Sequence, residues 1–173
     1  MKDQLVAAAP QKDDELHIVS DLVQTGDMVV LVVPIDSAAP KGRLIMPQQQ
    51  TIRDLLDHHA IPIVTQVEEL AGVLSALADK VKLVITDSQA FKEVNQIVPA
   101  DIPLTSFSIL FARHKGNLQQ LMEGVRMVEQ LRDGDKVLIA EGCTHRRQCD
   151  DIGTVKIPNW LRTHTGCKLD IET

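Results

Sequence analysis

Apolar residues along this chain fall into two patterns that alternate. The stretch GDMVVLVVP (26–34) is a turn followed by a nearly unbroken β-branched run, the pattern of a strand buried on both faces. After the loop IDSAAPKGRLIMPQQQ, Pro47 suits the first turn of a helix, and Ile52, Leu55 and Leu56 continue it at helical spacing. IPIVTQ (61–66) predicts a short strand, and VEELAGVLSALAD a helix with Leu70, Val73, Leu74 and Leu77 on one stripe. VKLVITDS (81–88) and QAFKEVNQIV repeat the strand and helix. Such alternation implies a mainly parallel sheet covered by helices.

The proline-punctuated stretch VPADIP (98–103) reads as a domain boundary, and a second series follows it. LTSFSILFA opens as a strand. NLQQLMEGVRMVEQL predicts a helix on Leu118, Leu121, Val125, Val128 and Leu131. RDGD turns into KVLIAEG, read as a buried strand, then IPNWLRTHTG gives a short helix closed by Gly166, and CKLDIET starts a strand. The fold class expected is α/β: two small, mainly parallel-sheet units with flanking helices, the second incomplete. Residues 1–15, with AAAPQKDDE, read as a linker.

Composition narrows the function classes. Aromatic residues make up 2% of the chain, with one Trp and no Tyr, so aliphatic side chains must fill the interior and stacking on single-stranded bases is disfavoured. A net charge of −6 lacks the basic footprint of a nucleic-acid binder. No apolar run is long enough to span a bilayer. The N-terminal residues have no long apolar leader, which gives a cytoplasmic expectation. The three cysteines all lie in the last third and form no disulfide framework.

The candidate chemistry centres on EGCTHRRQCDDIG (141–153), where Cys143 and His145 follow directly on a strand. Ligands of open parallel sheets sit beyond the carboxyl ends of strands, and thiolate with imidazole suits zinc or iron. Cys149 and Cys167 could complete a four-ligand zinc set, although no C-x-x-C knuckle is present. Against these stands the plain reading of cysteine as a small buried hydrophobe. His58-His59 and His164 lie at helix ends, where capping accounts for them, and His17 and His114 have no partner near in sequence. Asp36, Asp87 and Asp150-Asp151 follow strands, where carboxylates can bind metal or polar substrates, but capping of helices and loop amides carries more weight. Ser88 has no nucleophile elbow around it. Neither G-x-x-x-x-G-K-[ST] nor G-x-G-x-x-G occurs, so the usual phosphate-cradling loops are missing.

Four collinear segments, GDMVVLVVPIDSAAPKGRLIMPQQQTIRDLLD, LVITDSQAF, LTSFSILFARHKGNL and VLIAEGCTH…DDIGTVKIPNWL, together resemble the FeFe-hydrogenase maturation GTPase family HydF, from about residue 16 onward. The resemblance implies a scaffold or carrier in assembly of the di-iron subcluster of FeFe-hydrogenase. It implies residues 16–98 as a dimerisation domain and 99–173 as the first, C-terminally truncated part of an iron–sulfur domain. Implied partners are a second copy, the hydrogenase apoprotein and radical-SAM maturases. Cys143 and His145 match the first half of the family's C-x-H…H-C-x-x-C motif, which implies Cys143 as a thiolate ligand to a 4Fe–4S cluster and His145 as a ligand or near neighbour. The H-C-x-x-C half is not in the sequence, and Cys149 and Cys167 do not stand in its spacing. Without a P-loop, GTP hydrolysis is not expected. The alternatives are an α/β domain with a structural zinc site and a metal-free homodimerisation module.

Overall fold

The computed structural model describes residues 17–35, 44–140 and 151–173. The chain divides into two compact units, 1–117 and 118–173.

In the first unit, β1 (Met28–Val32), β2 (Ile61–Thr65), β3 (Val81–Thr86) and β4 (Leu104–Ser106) form one sheet in the order β2-β1-β3-β4. All three pairings are parallel. β1 is central, and Val29, Val30, Leu31 and Val32 are each fully buried, which is the outcome expected for a run without polar alternation. Alternate side chains serve opposite faces. Val29 and Leu31 join Leu55, Leu83, Ile85, Phe107 and Leu110 in one core. Val30 and Val32 join Leu70, Leu74, Val84 and Val94 in the other. Helices α1 (Met46–Asp57) and α4 (Phe107–Lys115) therefore cover the first face, and α2 (Leu70–Leu77) and α3 (Phe91–Ile97) the second. Burying each such side chain stabilises the fold by about 1.5–3 kcal/mol before entropy is counted. The register between β1 and β3 shifts at Lys82, whose charge thereby stays exposed.

VPADIP does not separate domains. Val84 N–H donates to the Pro103 carbonyl, and Leu104 to Ser106 pair with Val84 to Thr86. The prolines mark the crossover into a three-residue edge strand, and the break between units comes after α4 instead. β4 passes directly into α4, whose N-cap is Ser106: its Oγ accepts from Ile109 N–H at 3.3 Å.

β2 is the other edge. Ile61 N–H donates to Asp27 and Thr65 O accepts from Val33, so Pro62 and Val64 turn their backbone groups to the open side. Pro62 has no N–H to offer there, which blunts the edge against indiscriminate pairing.

The second unit contains α5 (Leu118–Met127), a 3-10 turn (Val128–Gln130), β5 (Lys136–Leu138), a π-helical turn (Ile152–Lys156), α6 (Ile157–Thr165) and β6 (Asp170–Glu172). β5 and β6 pair in parallel, and Gly166 closes α6 in the left-handed conformation, with φ of 68°. Among its described residues only Leu169 is a buried hydrophobe. The expectation of a buried strand at KVLIA is not met, because Leu138 is 72% exposed. Among the described residues the strand is covered on one face only in part, with Val137 partly buried and Leu138 turned outward.

Candidate functional site

The strand order reverses direction between β1 and β3, the point at which open α/β sheets place ligands. A cavity of about 300 Å³ lies there, lined by Pro34, Gln66, Glu68, Asp87 and Glu93 among others. Gln48, buried on the first turn of α1, reaches it through Nε2, 3.4 Å from Asp87 Oδ2, while its Oε1 accepts from Ile45 N–H. Ser88 Oγ donates to Ser108 Oγ at 2.8 Å rather than to a base. Its charged lining among the described residues is acidic: Glu68, Asp87 and Glu93.

A second polar centre was not foreseen. Asp54 on α1 holds the chain before a short 3-10 helix (Ser20–Leu22). Its Oδ2 accepts the amides of Ile18, Val19 and Ser20 at 3.1, 2.8 and 2.9 Å, and its Oδ1 accepts Ser20 Oγ at 3.0 Å. Burial pushes the Asp54 carboxyl up, but these amides and the hydroxyl outweigh it and hold it below the usual carboxylate range. Two imidazoles flank it. His17 Nδ1 lies 2.8 Å from Ser20 Oγ, His58 Nδ1 lies 2.8 Å from the Asp54 carbonyl, and the two rings meet edge to face with centroids 5.3 Å apart. Arg113 on α4 closes the junction, with two bonds to the Asp21 carboxylate and one to the Ile18 carbonyl. The side-chain bond from Arg113 is the main reason the Asp21 carboxyl is lowered.

Cys143, His145, Cys149, Asp36 and Asp150 lie outside the described residues. Cys167 is partly buried, and its Sγ lies 3.3 Å from the Leu131 carbonyl and 3.5 Å from that of Thr165. Asp151 caps the π-helical turn, accepting from Thr154 N–H and Oγ. His58 is the C-cap of α1, and His59 takes a left-handed φ of 60° as the helix ends. The His58 ring meets the Asp54 carbonyl at that cap, and it also meets His17. His114, without a partner near in sequence, has Nδ1 3.3 Å from the His17 carbonyl. The one available sequence signal was the i, i+4 pairing of Asp54 with His58, which puts both on one helix face. His17 comes from too far upstream for spacing to reveal.

The residues expected to hold a 4Fe–4S cluster, Cys143 and His145, lie outside the described residues. Such clusters are held mainly by thiolates. Among the described residues the one group of three possible metal ligands, His17, Asp54 and His58, contains no sulfur. The only described thiol is engaged with backbone carbonyls.

Comparisons with known proteins add the family. No curated protein matches the chain. Among solved structures, a crystal structure of VinN matches at a TM-score of 0.42 and 11% identity, covering 90% of this chain and 49% of that one. The chain therefore spans about half the length of that protein, and a likeness this loose supports no functional argument. Residues 18–116 match the hydrogen maturase F dimerization domain. Residues 119–173, within the 99–173 stretch expected to begin an iron–sulfur domain, match the hydrogen maturase F tetramerization domain. Both matches divide the chain where the structure does, after α4. Matched along nearly its whole length by these two domains, the chain belongs to the hydrogen maturase F (HydF) family.

Proposed function

We propose that this chain acts in hydrogenase maturation as a self-associating scaffold, its first unit forming dimers and its second joining them into tetramers. The observation that carries this reading is the uncovered face of α5. Leu118, Leu121, Met122 and Val125 recur at i, i+3, i+4 and i+7, and the last three are 50%, 52% and 69% exposed. The opposite face carries Gln119, Glu123 and Arg126, with Gln119 Nε2 bonded to Glu123. An amphipathic helix normally hides its apolar stripe, and a second copy offers the same stripe in return. The family's own domain descriptions support the same conclusion. No helix among the described residues is long and apolar enough to cross a membrane, so that exposed surface is not accounted for by a transmembrane span.

Sedimentation velocity over a concentration series tests it. The expected result is a mass of two and then four chains, rising with concentration. A single monomeric boundary at every concentration would remove the scaffold reading.

Carriage of an iron–sulfur precursor is the finer part of the proposal. It rests on Cys143 and His145 in sequence alone, with the hydrogenase apoprotein and the radical-SAM maturases as partners by family likeness. Anaerobic reconstitution with iron and sulfide, followed by absorption and metal analysis, tests it beside a Cys143→Ala variant. A brown product lost in the variant supports carriage. A colourless product counts against it, and a colourless product containing zinc favours the structural-zinc alternative.

A further inference from the structure

We propose that His17, Asp54 and His58 form a binding site for a divalent transition metal of the zinc class, which ties the segment before the short 3-10 helix to the last turn of α1. One donor atom from each residue lies within 4.8 Å of the others, and all three residues are partly buried. Two imidazoles with one carboxylate are a donor set that zinc accepts readily. Zinc ligands in a tetrahedral site stand roughly 3.3 Å apart, so the side chains must draw inward by about an ångström, a movement within reach of χ rotation.

The hydrogen bonds also set the tautomers. The Ser20 hydroxyl donates to Asp54 Oδ1, so its one proton is committed and His17 Nδ1 must donate to Ser20 Oγ. The Asp54 carbonyl can only accept, so His58 Nδ1 also carries a proton. With that proton in place Nε2 is the nitrogen left to donate to a metal, and His58 turns toward it from a position in which its Nδ1 stands 3.7 Å from Asp54 Oδ1. A proton held on one ring nitrogen by an oxygen acceptor, with the other nitrogen left for the metal, is the usual arrangement behind a metal-bound histidine. Asp54 is held by its amide contacts before any metal arrives, so the inward movement falls to the two imidazoles. Three protein ligands leave one coordination position for water or an outside donor. The competing account is that His58 serves only as a helix cap.

The test uses untagged full-length chain with Cys143, Cys149 and Cys167 replaced by serine, so that thiols cannot bind the probe. Zinc is titrated against a chromophoric chelator, with far-UV circular dichroism checking that each variant is folded. The expected result is one equivalent per chain, weakened about ten-fold or more by His17→Gln and again by His58→Gln. Should the serine variant misfold, the imidazole resonances of the wild-type chain are followed on adding zinc. Those of His17 and His58 should shift while that of His164, exposed at the end of α6, does not. Zinc affinity unchanged in the doubly substituted chain, or unmoved His17 and His58 resonances, would overturn the site. Asp54 is left intact throughout because it also holds the fold.

Discussion

Replacing Asp54 with alanine will destabilise the first unit by roughly 3–5 kcal/mol, since hydrogen bonds to a charged acceptor contribute about 1.5–3 kcal/mol each and do not add in full. The carboxylate accepts three consecutive amides and a hydroxyl, and Val19 is fully buried against the core. Removing the acceptor leaves donors that water reaches poorly. It also frees the segment on which Arg113 and Asp21 meet. The measurement is a urea midpoint by circular dichroism, with hydrogen exchange at the Val19 and Ser20 amides showing that the loss begins there. A change under about 1 kcal/mol would mean that the amides find other partners.

The same residue gives a pH dependence of defined sign. The folded-state carboxyl is held below its unfolded value, so the stability it contributes is fully present above the ordinary aspartate range. That stability is lost as pH falls through the folded value. Asp54→Asn, which keeps the shape but not the charge, should therefore differ most from wild type above about pH 4. The two should converge in stronger acid. Asp21, lowered by Arg113, acts in the same direction.

How much of this was legible in the sequence depended on how local the cause was. The β1 run announced a strand buried on both faces because apolar continuity is itself the requirement, and Leu70 and Leu74 kept their helical stripe inside. Leu56, read as part of the α1 stripe, turned out half exposed, because the core needed only Leu55 and part of Ile52. VPADIP misled because β4 is too short for periodicity, and its place is set by pairing with β3. The Asp54 junction was mostly hidden, since its partners come from three separated segments. Cys143 and His145 present the reverse case, a motif plain in sequence that lies outside the described residues.

Substituting Leu121 and Val125 together by glutamate will weaken association of the chain by at least about a hundred-fold, a loss of roughly 2.7 kcal/mol in dissociation free energy. The effect follows from what the stripe lacks. In the second unit Leu169 is the one buried hydrophobe among the described residues, while α5 carries apolar side chains at least half exposed. The described part of this unit, a two-stranded parallel sheet with two helices, has little stability of its own. Covering Leu121, Met122 and Val125 would supply apolar burial worth about 1.5–3 kcal/mol for each side chain fully buried. Glutamates at two of these positions would instead place unpaired carboxylates against an apolar surface, an arrangement that costs several kcal/mol unless they protonate or stay wet. Both positions face solvent within the chain, so helix content by circular dichroism should not change, and a stripe needed for the chain's own folding would fail that criterion. A double substitution on the opposite face, Gln119→Glu with Arg126→Glu, adds more negative charge, and its association should stay close to wild type. If both pairs of substitutions weakened association equally, general charge repulsion would be the cause, and the α5 stripe would not be the contact.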